Sequence, residues 1–167
     1  MTLSHNETLP DLQATCPRPG RLEWIGLRPG KRQEMIEVDT ARLVTNHGID
    51  GDHYCTGSIN RDRQVTLIQA EHLVTIAALG NLENISPLLL RRNLVISGIN
   101  IASLKDKCFR LGSTELAGTG FCHPCSRMEE NLGQGGYNAV RGHGGITAKV
   151  IKGGWISKGD LLVAECF

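Results

Sequence analysis

The stretch Arg63-Gln64-Val65-Thr66-Leu67-Ile68-Gln69 runs without a break into Ala70-Glu71-His72-Leu73-Val74-Thr75-Ile76-Ala77-Ala78-Leu79. The fold class turns on how that pair is read. The first seven residues are β-branched and locally alternating, which predicts a strand. In the next ten, Ala70, Leu73 and Ile76-Ala77, then Gly80, recur at spacings of three and four. That is an apolar helical stripe with glycine as its stop signal. A strand feeding a helix opens a βαβ unit, and repetition along the chain would predict a doubly wound sheet. The pattern does not recur.

Outward from this pair, short strand-like runs separated by turn signals dominate. Leu22-Glu23-Trp24-Ile25 and Met35-Ile36-Glu37-Val38 flank a turn at Arg28-Pro29-Gly30-Lys31. Residues 93–97, 107–111, 114–116, 146–151 and 161–164 read as further strands, the second and third of these being joined through Gly112-Ser113. Ser86-Pro87 has the form of an N-cap with proline at the first helical position, and it opens a short helix through Leu90. Another helix is expected over residues 124–132. Eight or so short strands, two or three helices and glycine-rich turns predict a mainly β fold, a closed or partly open β-barrel. Residues 1–20 hold Pro10, Pro17, Pro19 and Gly20 with no periodicity, so a flexible arm is expected before one domain over 21–167.

Composition narrows the function. A chain of 167 residues buries enough surface to fold without staples. Its 18 Lys and Arg against 17 Asp and Glu leave a net charge of +1, too balanced for a nucleic-acid-coating surface, and 4% aromatics offer little for base stacking. No apolar run approaches the ~20 residues of a membrane span, and the first twenty residues lack a signal-peptide pattern. A cytoplasmic protein with no membrane or nucleic-acid partner is expected.

The six cysteines are Cys16, Cys55, Cys108, Cys122, Cys125 and Cys166, and only Cys122-His123-Pro124-Cys125 is a cluster. In a reducing compartment such a cluster is catalytic or metal-binding more often than disulfide-bonded. Three chemistries compete. A thioredoxin-like dithiol needs a parallel strand before it, in a βαβ context, and Leu116-Ala117-Gly118-Thr119-Gly120 precedes it instead. A zinc site joining Cys122 and Cys125 to His53 or His143 lacks the second close ligand pair of structural sites, so no structural zinc is expected. The third is one reactive thiol in a pocket. A thiol acts as nucleophile or sulfur carrier in its thiolate form, which helix N-terminal dipoles and nearby cations favour.

Cations cluster at strand ends and glycine turns: Arg28, Lys31, Arg32, Arg61, Arg63, Arg91, Arg92, Arg127 and Arg141. Arginine's planar fork suits phosphate or carboxylate oxygens, so a small anionic ligand is the expected partner. In a barrel, strand ends far apart in sequence meet at one rim, which predicts His53, Arg63, Arg92, Asn93 and Arg127 converging on Cys125. Asn93 would orient a ligand ring through its amide, and His53, oriented by Asp52, would supply a proton. The blocks Gly133-Gln134-Gly135-Gly136-Tyr137 and Arg141-Gly142-His143-Gly144-Gly145 match no nucleotide-binding fingerprint and suggest close backbone packing or a ligand-facing loop.

Taken in order, several pieces resemble the MOSC family, named for the C-terminal domain of molybdenum cofactor sulfurase. They are Gly48-Ile49-Asp50-Gly51-Asp52-His53, Arg63-Gln64-Val65-Thr66-Leu67 running into Glu71, Arg91-Arg92-Asn93-Leu94, Cys122-His123-Pro124-Cys125, Gly144-Gly145-Ile146 and Gly159-Asp160. Pro124-Cys125-Ser126-Arg127-Met128-Glu129 followed by Gly135-Gly136-Tyr137-Asn138 is most similar to the small, stand-alone bacterial members. The resemblance implies a β-barrel-like fold and a sulfur- or molybdenum-linked function. It implies that Cys125 carries sulfur or ligates the molybdenum of a pterin cofactor; Cys122, Arg63, Arg92, Asn93 and Arg127 are the residues expected to hold the cofactor around it. It further implies either reduction of N-hydroxylated compounds or a carrier role, with a separate sulfur-donor or electron-transfer protein as partner. Pyridoxal phosphate belongs to the desulfurase domain of some relatives and is not expected here.

Overall fold

The computed structural model describes residues 8–56 and 62–165. Seven strands close on themselves: β1 (Gly20–Leu27), β5 (Val65–Gln69), β6 (Leu94–Ser97), β7 (Cys108–Leu111), β8 (Thr114–Phe121), β9 (Ile146–Lys152) and β11 (Leu161–Ala164). Around the barrel the order is β1, β6, β5, β9, β8, β7, β11 and back to β1. Every neighbouring pair is antiparallel except β5 and β6, which run parallel. The crossover between those two carries α2 (Ala70–Leu79) and α3 (Pro87–Leu90). The strand over Val65–Gln69 and the helix it feeds therefore belong to the one parallel unit in an otherwise antiparallel barrel.

β2 (Ile36–Val38) extends the edge of β1. A second small sheet is formed by β3 (Thr40–Val44), β4 (Gly48–Ile49) and β10 (Gly154–Ser157), in the order β10, β3, β4. Two cores result. Leu22, Ile25, Leu67, Leu94, Ile96, Phe109, Leu116, Ile146 and Val150 fill the barrel, with Leu43, Ile49 and Ile156 of the small sheet packed into the same cluster. On the other face of β1, β5 and β6, Trp24, Ile68 and Val95 meet Ile76 of α2, Leu90 of α3, Met128 of α4 (Ser126–Leu132) and Ala139-Val140 of α5 (Gly136–Val140). β5 is thus covered on both faces, which explains why Val65, Thr66, Leu67 and Ile68 are all buried.

α2 occupies the span its periodicity predicts, and Gly80 follows it. α3 begins where Ser86 and Pro87 predict, with Ser86 Oγ accepting from the Leu88 amide at 3.3 Å. Other elements differ from expectation. β3, β4, β10, α5 and α1 (Leu9–Ala14) are elements for which the sequence reading expects no strand or helix. α5 sits in a glycine-rich block too poor in helix formers to be recognised. It is held from outside, because the Glu129 carboxylate accepts from the Gly135 and Tyr137 amides at 2.8 and 2.9 Å. β8 continues to Phe121 through Gly118-Thr119-Gly120, and its ladders to β7 and β9 are antiparallel. Gly118 has a structural reason, since a Cβ there would lie 2.2 Å from the Leu104 carbonyl oxygen. Within residues 8–20, Cys16 packs against the barrel core and Arg18 Nε donates to the Gly98 carbonyl at 3.0 Å. Arg61 and Cys166 lie outside the described residues.

Candidate functional site

A cleft of about 310 Å³ opens where the loops after β1 and β4, the start of β5, the entry to β6 and the β8–α4 connection meet. His53, Arg63, Arg92, Cys122, Cys125 and Arg127 all line it, together with Arg28, Lys31, Arg32, Tyr54 and Arg91. Residues up to about a hundred positions apart in the chain are brought to one rim by barrel closure.

Its floor is a buried polar network. The Asp52 carboxylate receives the Arg28 amide and Nε at 2.9 Å each, Arg28 Nη2 at 3.1 Å, the Tyr54 amide at 3.0 Å and Asn93 Nδ2 at 2.8 Å. Asn93 Oδ1 accepts from Arg28 Nη2 at 2.8 Å and from the Thr66 amide and hydroxyl at 3.1 Å, while Nδ2 also donates to the Gly26 carbonyl. Burial pushes the Asp52 carboxyl up, but the hydrogen bonds and charge of Arg28 outweigh it and hold its pKa below the ordinary value. Arg28 also lies over the Tyr54 ring, 4.3 Å from its centroid, and Tyr54 meets His53 edge-on at 4.5 Å.

Two expectations are corrected here. Asn93 does not address a ligand: it is fully buried, absent from the cleft lining, and its amide is spent on four protein partners. Asp52 does not orient His53, because its oxygens hold Arg28, Tyr54 and Asn93; His53 is placed instead by its amide, which donates to the Arg28 carbonyl at 2.8 Å. Short polar side chains in a glycine turn do not reveal which long-range partner will claim them.

The wall carrying the cysteines is built around Arg92, which is 6% exposed. Its Nε donates to the Gly144 carbonyl at 2.9 Å, Nη1 to the Leu90 carbonyl at 2.8 Å and Nη2 to the Cys122 carbonyl at 3.2 Å. The Cys122 amide in turn donates to the Gly145 carbonyl at 2.8 Å. Glycine is required at both loop positions. A Cβ on Gly144 would stand 2.2 Å from the Cys122 carbonyl oxygen. One on Gly145, at φ +87°, would stand 1.8 Å from that of Leu67. Arg91 precedes this anchor in the left-handed region at φ 56°, which ends α3 and turns the chain into β6. Its Nη1 donates to the Gln33 carbonyl at 2.7 Å.

The chain between β8 and α4 presents the two thiols differently. Cys122 is 4% exposed and Cys125, the N-cap of α4, is exposed. Arg63 Nη2 points at Cys122 Sγ from 3.8 Å. Arg127 pairs with Glu130 at 3.5 Å. Among the described residues, Lys31, Arg32, Arg63, Arg91 and Arg92 of this cleft have no carboxylate within 4.0 Å. Burial depresses the pKa of Arg92; the Cys122 and Cys125 sulfurs oppose that, and Arg63 and Arg28 add to it. Arg91 is depressed by burial and then by Arg127 and Arg28. Such crowding of like charge gives the cleft a positive potential, beside which the two sulfurs are soft donors. Neither His53 nor His143 joins the cysteines in a metal cluster; among the described residues no three His, Cys, Asp or Glu side chains are grouped to hold one. Among the described residues no helix is long and apolar enough to cross a membrane.

Sequence reasoning did not find Tyr54, whose ring packs under Arg28, nor the pairing of Arg28 with Asp52. The only signal for the latter was an arginine beside a turn and an aspartate in a glycine loop.

Comparison with known proteins places the chain in context. The family model of the MOSC domain matches residues 44–163. The fold is similar to that of the YuaD protein of Bacillus subtilis (TM-score 0.77, 18% identity, covering 92% of this chain and 100% of that one). It is also similar to YiiM from Escherichia coli (0.67, 20% identity, 89% and 70%) and YiiM from Geobacillus stearothermophilus (0.71, 15% identity, 88% and 75%). At these identities the likeness is one of fold. A search of curated proteins finds no match.

Proposed function

The chain belongs to the MOSC family, and on that premise we propose that it is a sulfur-carrying, molybdenum-pterin-binding module whose working thiol is Cys125. The observation that carries this reading is that an exposed cysteine shares one cleft with Lys31, Arg32, Arg63 and Arg91, which no carboxylate neutralises among the described residues. A phosphate finds charge-assisted donors on Arg63, Arg91, Lys31 and Arg32, while a sulfane sulfur or a thiophilic metal finds Cys125. Arg92 has three of its five N–H groups engaged with carbonyls, so its part is to hold the Cys122 segment and to set a positive potential beneath it.

The donor set fits a phosphate-bearing molybdenum pterin: an exposed soft thiol and several guanidiniums line one cleft. Cys125 would be its protein ligand, and Arg63, Arg91, Lys31 and Arg32 would receive its phosphate. When bound, the group supplies two-electron chemistry of the kind that the family resemblance associates with N-hydroxylated substrates. The protein's own part is to bind and orient. The Asp52–Arg28–Asn93 floor fixes the loops carrying His53 and Tyr54. His53, on the rim beside Tyr54 and Arg28, would exchange a proton with a ligand, and His123 lines the same cleft.

The test is metal and pterin analysis of protein produced in cells with intact cofactor biosynthesis. Wild type is expected to retain molybdenum and pterin, and Cys125→Ser to lose the metal. Metal retention in Cys125→Ser equal to wild type would sink the assignment.

A further inference from the structure

The cleft holds a second thiol that the reading above does not use. Cys122 Sγ lines the same cavity as Cys125, but from within the wall. Its backbone is pinned on both sides, by the Gly145 carbonyl at its amide and by Arg92 at its carbonyl. The Arg63 guanidinium lies 3.8 Å from its sulfur. Both sulfurs act electrostatically on the one Arg92 guanidinium, so they share a neighbourhood as well as a cavity. One thiol open to solvent and one sheltered thiol with a cation on its sulfur, with two residues between them, form an asymmetric dithiol rather than a thiol with a bystander.

We propose that Cys122 is a resolving cysteine that discharges sulfur from Cys125 as sulfide. The inference rests on the sulfur-carrying half of the function proposed above and adds the route by which sulfur leaves. In the loading step the Cys125 thiolate takes the outer sulfur of a sulfane donor, a persulfide RSSH, and RS⁻ departs. In the release step the Cys122 thiolate attacks Cys125 Sγ. A Cys122–Cys125 disulfide forms, the Sγ–S bond of the persulfide breaks, and its electron pair leaves on HS⁻. The balance is one thiol plus one persulfide giving one disulfide plus H₂S: the sulfane sulfur is reduced and the two cysteine sulfurs are oxidised. The proton lost by Cys122 equals the one gained by the departing sulfide. An external dithiol then reduces the disulfide and is itself oxidised to a disulfide, which resets the pair.

Arg63 is a positioning residue in this scheme. Its Nη2 meets the Cys122 sulfur as it becomes anionic, and no carboxylate within 4.0 Å competes for that guanidinium among the described residues. The order of the pair follows from exposure. A donor protein or small persulfide reaches Cys125 first, and the sheltered Cys122 reacts only with what Cys125 already holds.

The experiment uses the full chain loaded with sodium polysulfide and desalted, without added reductant, followed by sulfide assay and peptide mass mapping. Wild type is expected to release sulfide and to yield a Cys122–Cys125 disulfide, seen as a linked peptide lighter by two hydrogens. Cys122→Ser is expected to keep the persulfide on Cys125 and release at least tenfold less sulfide. Arg63→Gln is expected to slow release per loaded protein several-fold, with Arg63→Lys restoring part of the rate, which a merely structural role would not produce. Should Cys125 load but wild type keep its persulfide as long as Cys122→Ser, with no disulfide mapped, the resolving role falls and the sulfur-carrier reading stands. Should Cys125 take up no sulfur at all, both fall. The wild-type disulfide map decides the matter even where a variant fails to fold.

Discussion

Replacing Asp52 by asparagine is the most searching perturbation of the floor beneath the cleft. The carboxylate is 1% exposed and its partner Arg28 is 9% exposed, so water replaces little of what is lost. Oδ2 receives three donors, the Arg28 amide, Arg28 Nε and Asn93 Nδ2, and Oδ1 receives two, Arg28 Nη2 and the Tyr54 amide. An amide in either orientation therefore aims an NH₂ group at two or three N–H groups. The substitution also leaves a buried guanidinium without its counter-charge. Breaking one side of such a pair costs about 3–5 kcal/mol, whereas removing both sides together is nearly neutral or less costly. Asp52→Asn is expected to lose that amount in urea unfolding, with Tm falling by roughly 6–20 °C for a chain of this length. Asp52→Asn combined with Arg28→Met is expected to recover at least about 1 kcal/mol of the loss.

The pH dependence has a definite sign. The folded Asp52 pKa lies below its unfolded value of about 3.9, so its contribution is complete above that value. It is lost as pH falls through the folded pKa. The gap between wild type and Asp52→Asn should thus be widest at neutral pH, begin to narrow below about pH 4, and close at still lower pH. A loss under about 1 kcal/mol at neutral pH, or a gap that widens on acidification, would refute the account of Asp52 as the counter-charge that holds Arg28 and Asn93 in place.

Other outcomes follow from the same geometry. Brief iodoacetamide treatment near neutral pH, mapped by peptide, should label Cys125 ahead of buried Cys122 and half-buried Cys16, Cys55 and Cys108; faster labelling of Cys122 would contradict the exposure that orders the pair. Gly145→Ala should destabilise by at least about 2 kcal/mol, since alanine at φ +87° is strained and its Cβ meets the Leu67 carbonyl, whereas Gly133→Ala meets no neighbour within 4 Å and should cost only the backbone strain. Arg92→Ala should lower stability by several kcal/mol, because three carbonyls lose a charged donor at about 1–3 kcal/mol each before relaxation, and should weaken binding of a phosphate-bearing ligand; an unfolding curve that overlays wild type would rule this out. Leu67→Ala, inside the barrel, should cost about 2–5 kcal/mol in urea unfolding.

Local order sufficed where a signal is carried by neighbours in the chain. The stripe of α2, the Ser86-Pro87 start of α3, the single unrepeated strand–helix unit and the excess of short strands are all short-range patterns, and each leads to the element or fold class observed. The ingredients of the cleft were legible in the same way, as an arginine-rich, glycine-flanked set around a C-x-x-C pair. What tertiary structure alone decided is who bonds to whom. Asp52 pairs with Arg28, 24 residues away, and Asn93 reaches Gly26, 67 residues away, because barrel closure carries β1, β5 and β6 side by side. α5 and the long β8 exist because Glu129 and the flanking ladders satisfy backbone groups that their own residues favour only weakly. A propensity is a property of a few consecutive residues, while a buried hydrogen bond depends on which segments meet, and that is settled only when the sheet closes.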